Sequence, residues 1–278
     1  MARVPIKQAP PPHIDPETPN IQRWDNGLVL YNEFITQEEE AAIIAAILSD
    51  DQWVDHERRC SLHFGPHFDY TTFGASETAA TPPASYLTDL LPRLPVQDYL
   101  PDQFTIQYYA PGTGIPPHVD THSAFREALY SLSLGSTVPM FFKKCGEEEA
   151  RRMRKPKRSL LDNPRTPTAD TRGKMKKAPK NPKISPQEEN EEDADADAEG
   201  WELFLPPRSL LLMMGPSRYG FTHKIRGRKS DLRDGLLIAR EGRYSITMRT
   251  VKRGKEIGCT CDFPGVCDAR VREENLGR

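Results

Sequence analysis

Residues 143–200 limit most severely what this chain can fold into. A basic block (RRMRKPKR at 151–158, then GKMKKAPKNPK) is followed by an acidic one (EENEEDADADAE). A tract so poor in apolar residues cannot bury a core and is expected to be disordered. By length the chain could be one large domain or two small ones; the expectation is one domain over 21–270 carrying this tract as a charged insertion. Basic clusters of this kind serve as nuclear-localisation or nucleic-acid patches. The bland alternative is a solvated insertion whose two halves partly neutralise each other. The formal net charge of -2 conceals these blocks and says little about partners.

On either side the pattern is of short strands. Gly27–Tyr31 reads as the first, and Phe104–Tyr109, Leu129–Gly135, Val138–Phe142, Trp201–Leu205 and Arg243–Val251 continue the series. Thr36 with Glu39 forms a capping-box pattern opening a helix whose apolar stripe includes Ile43, Ile44 and Ile47 and ends near Ser49. Tyr86–Leu94 reads as a second amphipathic helix closed by prolines. Many short strands without a βα alternation predict a mainly β fold, a double-sheet core with flanking helices. The Pro-rich start, residues 1–20, reads as a flexible arm, and 271–278 as a flexible end. No apolar run could span a bilayer and the start is unlike a signal peptide, so a soluble protein of the cytosol or nucleus is expected, with no membrane partner.

The chemistry concentrates in His118-Val119-Asp120-Thr121-His122, which follows a strand and a Pro/Gly turn. In an extended chain His118 and Asp120 project from one face. With one more histidine they would make the 2-His-1-carboxylate set of a non-haem Fe(II) site, and His223, just after a later strand, is the best-placed candidate. Arg243 and Arg249 lie six apart on one strand and face the same way, which suits a dicarboxylate co-substrate. Each piece has an ordinary alternative: a loop histidine, a pair of surface cations. Three of the five cysteines, Cys259, Cys261 and Cys267, are bunched as C-x-C-x5-C. With one histidine they would form a closed, structural Cys3His zinc site, although the cysteines alone do not name that histidine. Between Trp53 and Pro83 the chain is aromatic and basic (His56, Arg58, His63, Phe64, His67, Phe68, Tyr70, Phe73). It reads either as a surface for stacking on bases or as a hairpin whose aromatics pack inward.

Taken together, H-x-D, a distal His and R-x5-R resemble the AlkB family of Fe(II)/2-oxoglutarate dioxygenases. The runs Gln107–Phe125, Ser131–Ser136, Pro207–Leu211, Ser217–Tyr219, His63-Phe64-Gly65 and Cys259–Asp268 are similar to its homologue-eight branch, which hydroxylates a wobble uridine of tRNA. The likeness covers about residues 27–270, interrupted by the charged insertion. It implies a double-stranded β-helix (jelly-roll) core, Fe(II) on His118, Asp120 and His223, and 2-oxoglutarate on Arg243 and Arg249 with help from Tyr109. It also implies zinc on His122, Cys259, Cys261 and Cys267, making 259–267 a zinc-binding tail. Gln107 stands where the family usually has Asn and offers the same amide one methylene further out. The substrate implied is the side chain of a tRNA wobble uridine of the 5-methoxycarbonylmethyl type. Oxidative demethylation of alkylated DNA or RNA bases is the alternative within enzymes, and a non-catalytic zinc-stabilised RNA-binding module the alternative outside them. The branch's RNA-recognition and methyltransferase domains are not expected within this length, so a separate tRNA methyltransferase is an implied partner. The basic block from Arg151 to Lys183 is the expected substitute for the RNA-binding domain.

Overall fold

Alternation at period two organises this fold. The computed structural model describes residues 7–51, 53, 59–69, 74–146, 200–233 and 235–276 and is built mainly of strands. In chain order these begin with β1 Lys7–Gln8, β2 His13–Ile14, β3 Ile21–Arg23, β4 Leu28–Tyr31, β5 Arg59–Asp69, β6 Gly74–Thr81, β7 Gln103–Tyr109 and β8 Ile115–His118. There follow β9 Leu129–Gly135, β10 Val138–Lys144, β11 Trp201–Leu205, β12 Leu210–Met213, β13 Phe221–Ile225, β14 Ser230–Arg233, β15 Leu236–Ala239 and β16 Arg243–Arg249. The helices among the described residues are α1 Gln37–Leu48, α2 Ser85–Thr88, α3 Gly215–Tyr219 and α4 Asp268–Leu276.

Five strands form one main sheet, ordered β1-β11-β10-β13-β8, nine form the other, ordered β2-β3-β4-β12-β9-β16-β7-β5-β6, and β14 and β15 pair as a separate hairpin. This is the double-sheeted jelly-roll core expected from the sequence. In the larger sheet β16 lies between β9 and β7, with Ile246 opposite both Leu132 and Ile106. The even-numbered residues of these strands (Phe104, Ile106, Leu132, Leu134, Ile246, Met248) pack with Ile43 and Ile47 of α1 and with Leu87, Leu90 and Leu94. On the opposite face Leu129, Leu211 and Met213 pack with Met140, Phe142 and Ile225 of the smaller sheet. Each such buried side chain contributes about 1.5–3 kcal/mol. A one-residue slip would exchange the two faces, so the register is pinned from both sides. The rest of the inward face is polar: Thr105, Gln107, Ser131, Ser133, Ser245 and Thr247, with Arg243 and Arg249 at the ends of β16. That polar strip between two sheets is where the site lies.

Local signals account for most of the helices. The Thr36 hydroxyl accepts from the Glu39 N–H (3.2 Å) and the Glu39 carboxylate accepts from the Thr36 N–H (2.7 Å), the reciprocal capping box expected at the start of α1. The expected helix over Tyr86–Leu94 is instead split into α2 and a 3-10 turn, Leu91–Arg93. Pro92 lacks the N–H that a continuous helix would require there.

Three boundaries differ from expectation. Within the expected arm, Lys7 and Gln8 pair in parallel with Trp201 and Glu202, His13 and Ile14 pair with Arg23 and Gln22, and the Trp24 indole donates to the Pro10 carbonyl (2.7 Å). An extended Pro-rich segment has few internal hydrogen bonds to satisfy, so it can complete the edges of both sheets. The charged tract begins later than 143, because Lys143 and Lys144 still pair with Thr222 and Phe221 of β13. Its expected disorder, and the basic block within it, fall on 147–199, outside the described residues. The supposed flexible end, 271–278, is helical as far as Leu276.

The hairpin β5–β6 settles the reading of the aromatic stretch where it is described. Phe64 and Phe68 are buried, while His63 and His67 on the alternate positions are exposed. His56, Arg58, Tyr70 and Phe73 lie outside the described residues. Between Phe64 and the next turn, Gly65 adopts φ +83, and a Cβ there would stand 1.8 Å from the Asp102 carbonyl oxygen. Gly65→Ala should therefore destabilise by about 2–4 kcal/mol, from left-handed strain plus overpacking against backbone. A urea midpoint within error of the wild type would contradict this.

Candidate active site and metal centres

β8 and β13 are neighbours in the smaller sheet, and their register sets His118 directly across from His223. The two imidazole rings lie 4.1 Å apart between centroids. Asp120 follows just beyond β8, with its Oδ2 3.4 Å from His223 Nε2. Its other oxygen, Oδ1, accepts from Arg249 through Nε (2.9 Å) and lies 2.8 Å from Nη2. One ligand atom from each of His118, Asp120 and His223 falls within 4.8 Å of the others. His118 Nδ1 is 2.9 Å from the Pro116 carbonyl oxygen. A carbonyl only accepts, so we assign the proton to Nδ1, which leaves the Nε2 lone pair free for a metal.

Electrostatics prepare these groups to be ligands. Burial pushes the His118 pKa down to about 4, with His223 adding to the effect and Asp120 opposing it. For Asp120 burial acts to raise the pKa, but Arg249 and the two imidazoles outweigh it and hold the carboxyl well below its usual range. At neutral pH the site thus offers a neutral imidazole beside a carboxylate, which suits a divalent cation of intermediate hardness such as Fe(II).

Two adjoining cavities meet at the triad. The inner one, about 380 Å³, runs between the sheets past Gln107, Ser131, Ser245 and Thr247. The outer one, about 320 Å³, opens beneath β5 among His63, His67, Phe68 and Phe125. His63, Thr105, His118, Asp120 and Arg249 line both. One step further along the polar strip is Arg243, only 1% exposed. Its Nη2 donates to Ser133 Oγ (2.9 Å), and Nε and Nη1 have no partner. Burial lowers its pKa to about 10, with Arg240 contributing and Tyr109 opposing. A buried guanidinium with two unused donor groups is costly unless an anion joins it, and a carboxylate fits that fork. Tyr109, whose ring lies 5.6 Å from the Arg243 guanidinium, donates its O–H to Gln107 Oε1. The two arginines expected to act alike are thus placed differently. Arg249 is already committed to Asp120 and, through Nη1, to Thr105 Oγ1 (3.3 Å), whereas Arg243 awaits a partner.

His122, Cys259, Cys261 and Cys267 form a second cluster, again with ligand atoms within 4.8 Å of one another. His122 Nδ1 is 3.4 Å from Cys261 Sγ. Cys267 is fully buried. Hydrogen bonding to Cys259, then burial, pushes the Cys267 thiol up to about 11, while the same contact lowers Cys259. Burial depresses His122, so its ring is kept neutral. Neighbouring sulfurs around a tetrahedral zinc stand about 3.8 Å apart, given bonds of about 2.3 Å. Three sulfurs and a neutral imidazole at this spacing fit such a closed site.

Two charged groups here escaped the sequence reading as site residues. Arg218, buried in α3, donates to the carbonyls of Asp120 and Thr121, each at 2.8 Å. Asp268, the first residue of α4, accepts from the backbone of His122 (2.9 Å) and Ser123 (3.1 Å) and from the Ser123 hydroxyl. Nothing in their local sequence marks either. Period-two alternation could have found Thr105, Ser131, Ser133 and Ser245, whose polar side chains interrupt otherwise apolar strands.

A jelly-roll with two imidazoles and a carboxylate at the mouth of an anion-seeking cavity has the make-up of a non-haem iron oxygenase that consumes a 2-oxo acid. The chain belongs to the 2OG-Fe(II) oxygenase superfamily, whose family model it matches over residues 27–249, and is a 2-oxoglutarate-dependent dioxygenase. Within that superfamily it is similar to AlkB-type proteins named ALKBH8. An Arabidopsis thaliana protein named Alkylated DNA repair protein ALKBH8 homolog is 28% identical, covering 88% of this chain and 63% of its own length. A Mus musculus protein named tRNA (carboxymethyluridine(34)-5-O)-methyltransferase ALKBH8 is 29% identical, covering 87% of this chain and 32% of its own length. The chain thus spans between a third and two thirds of these relatives. Among solved structures, OsALKBH1 aligns with 83% of this chain and 99% of its own at 14% identity and a TM-score of 0.48. Among the described residues no helix is long and apolar enough to cross a membrane.

Proposed function

We propose that this dioxygenase hydroxylates the C5 side chain of a wobble uridine in tRNA, of the 5-methoxycarbonylmethyl type. The observation that carries the reading is the pair of cavities. The inner one runs between the sheets past all three triad residues to Ser245, two residues from Arg243 with its unpaired Nε and Nη1, and the adjoining outer one opens beneath β5 at His118 and Asp120. Co-substrate and target can therefore approach from different sides. The similarity to the Mus musculus protein, whose name specifies a uridine of tRNA, supports RNA as the target class.

In this reading His118, Asp120 and His223 hold Fe(II). Arg243 takes the far carboxylate of 2-oxoglutarate, with Tyr109 and Gln107 beside it, and Arg249 keeps Asp120 oriented while facing the near carboxylate. His122, Cys259, Cys261 and Cys267 hold a structural Zn(II). When bound, iron and 2-oxoglutarate together activate O2, yielding succinate and CO2 as a substrate C–H becomes C–OH. The chain's own residues orient the two reactants about the triad. A target base must be unstacked to enter the outer cavity, which an anticodon loop permits at low cost. There the His63 and His67 edges are the polar groups available to it from β5. A methyltransferase acting on the same nucleoside is the implied partner.

The name of the Arabidopsis relative favours a second reading, oxidative demethylation of alkylated bases. Iron-loaded protein should be given 2-oxoglutarate with either tRNA bearing the methoxycarbonylmethyl uridine or oligonucleotides carrying N-methylated adenine or cytosine. Nucleoside mass spectrometry then reads the product. Hydroxylated uridine with matching succinate, reduced at least about 1,000-fold in His118→Ala, is the expected result, since the metal set acts as a unit. Turnover of the methylated bases alone would establish the second reading, and succinate no higher than in His118→Ala with either substrate would defeat both.

A further inference from the structure

The segment Asp120–Ser123 belongs to no strand or helix, so no sheet ladder fixes its backbone. Side chains from three places elsewhere in the chain hold it instead, together with a backbone hydrogen bond from the Gly258 N–H to the Ser123 carbonyl (3.3 Å). Arg218 of α3 takes the Asp120 and Thr121 carbonyls at 2.8 Å each. Lys252 Nζ, which also donates to the Gly258 carbonyl (2.7 Å), takes the His122 carbonyl at 3.1 Å. Asp268 takes the His122 N–H, the Ser123 N–H and the Ser123 O–H. Arg218 is 2% exposed and sits over the Tyr219 ring, which meets His122 edge-on at 5.0 Å. Every peptide from the carboxylate ligand to the cluster histidine is thus gripped by a charged side chain, two of them from the Cys-rich end of the chain.

We propose that Asp268 is a positioning residue for the iron site. By fixing the backbone at His122 and Ser123 it sets where Asp120 stands relative to His118 and His223, and it couples the C-terminal tail to iron affinity. Arg218 is the opposing jaw of the same clamp. Asp268 follows Cys267 directly, so the order of the cysteine cluster is passed to the carboxylate ligand through one side chain and two peptide N–H groups. Partners of this kind, one step removed from a metal ligand, typically govern affinity by about 10–100-fold. The proposal rests on His118, Asp120 and His223 being the iron ligands.

The test uses the full-length zinc-loaded protein and Mn(II) as a redox-stable stand-in for Fe(II), its binding followed by the loss of the free-ion EPR signal. Asp268→Ala keeps all four zinc ligands and, once loaded with one zinc per chain, should bind Mn(II) at least about tenfold more weakly. Its His122 and Ser123 amides should exchange faster with solvent, with the global unfolding midpoint little moved. Asp268→Asn should recover most of the affinity, since its oxygen still accepts from both N–H groups and its amide can donate to Ser123 Oγ. Glu273→Ala, on an exposed position of the same helix, should match the wild type. Unchanged Mn(II) affinity in a zinc-retaining Asp268→Ala, or an Asn variant as weak as the Ala one, would overturn the proposal. If Asp268→Ala fails to fold or loses zinc, Asp268→Asn together with Ser123→Ala decides: wild-type affinity in that double variant overturns it, and a loss greater than in Asp268→Asn alone supports it. If His118→Ala binds Mn(II) as well as the wild type, it is the iron-ligand assignment that has failed, not the clamp.

Discussion

Arg243→Met should give a protein at least as stable as the wild type that scarcely binds 2-oxoglutarate. The first half follows from the energetics of the free enzyme. Arg243 is almost wholly buried, donates one hydrogen bond, to Ser133, and leaves two donor positions unpaired. Replacing an under-satisfied buried charge with an apolar side chain of similar length is commonly neutral or stabilising by about 1–4 kcal/mol. The second half follows from the bound state, in which a carboxylate would face an apolar chain in place of a guanidinium fork. Losing one partner of a buried charged pair costs about 2–5 kcal/mol, or roughly 30-fold to several-thousand-fold in affinity. Thermal unfolding with and without 2-oxoglutarate reads both halves at once. The ligand-free midpoint should hold or rise, and the ligand-induced increase should vanish. A variant that is destabilised yet still shifts with 2-oxoglutarate would place the co-substrate elsewhere.

Cys267→Ser should bring zinc from near one per chain to near none, and the effect should be local. Structural zinc contributes about 10–16 kcal/mol to small domains that have little else. Here the two large cores are formed without the tail, whose Ile257 packs on a small separate cluster of Phe68, Ala124, Phe125 and Val251. The jelly-roll should therefore stay folded while 252–276 loses protection from proteolysis and hydrogen exchange. The wild-type cluster also sets a pH dependence. Zinc binds thiolates, and Cys267 holds its proton up to about pH 11 in the metal-free protein. Loading at pH 7 must expel protons, so zinc affinity should rise with pH, about tenfold per unit for each proton released. Calorimetry in buffers of differing ionisation enthalpy measures that number directly. A titration with no buffer dependence would rule out cysteine thiolates as the ligands.

How much of this could be read from the chain depends on the kind of signal. His118, Asp120, His223, Arg243 and Arg249 were legible because metal and carboxylate chemistry allows few residue types and the strand period fixes which share a face. The structure brings all five to one strip, but it gives the arginines different partners, Ser133 for Arg243 and Asp120 with Thr105 for Arg249, which their spacing could not show. His122 was named from family likeness, and its meeting with three cysteines more than 130 residues on depends on contacts that no local pattern encodes. The N-terminal arm was misread for a physical reason. Its composition reports that it buries no core, yet strand pairing is backbone chemistry and needs no apolar side chain. Arg218 and Asp268 were silent for the opposite reason, because their partners are main-chain atoms of a distant loop.

β10 and β11 are antiparallel neighbours, paired from Val138 opposite Leu205 to Phe142 opposite Trp201. Their adjacent ends are the points from which the charged tract departs and to which it returns. Closing a loop between fixed neighbours costs entropy that grows only with the logarithm of its length, about 0.6 kcal/mol for each doubling. Going from a turn of six or so residues to a connection eight times longer thus costs only about 2 kcal/mol, comparable to the burial of one leucine. The hydrogen-bonded ladder holds His223 opposite Phe142 whatever length the connection takes. Length and charge at this junction can consequently vary at a cost of about 2 kcal/mol while the ligand histidine candidate on β13 stays in register.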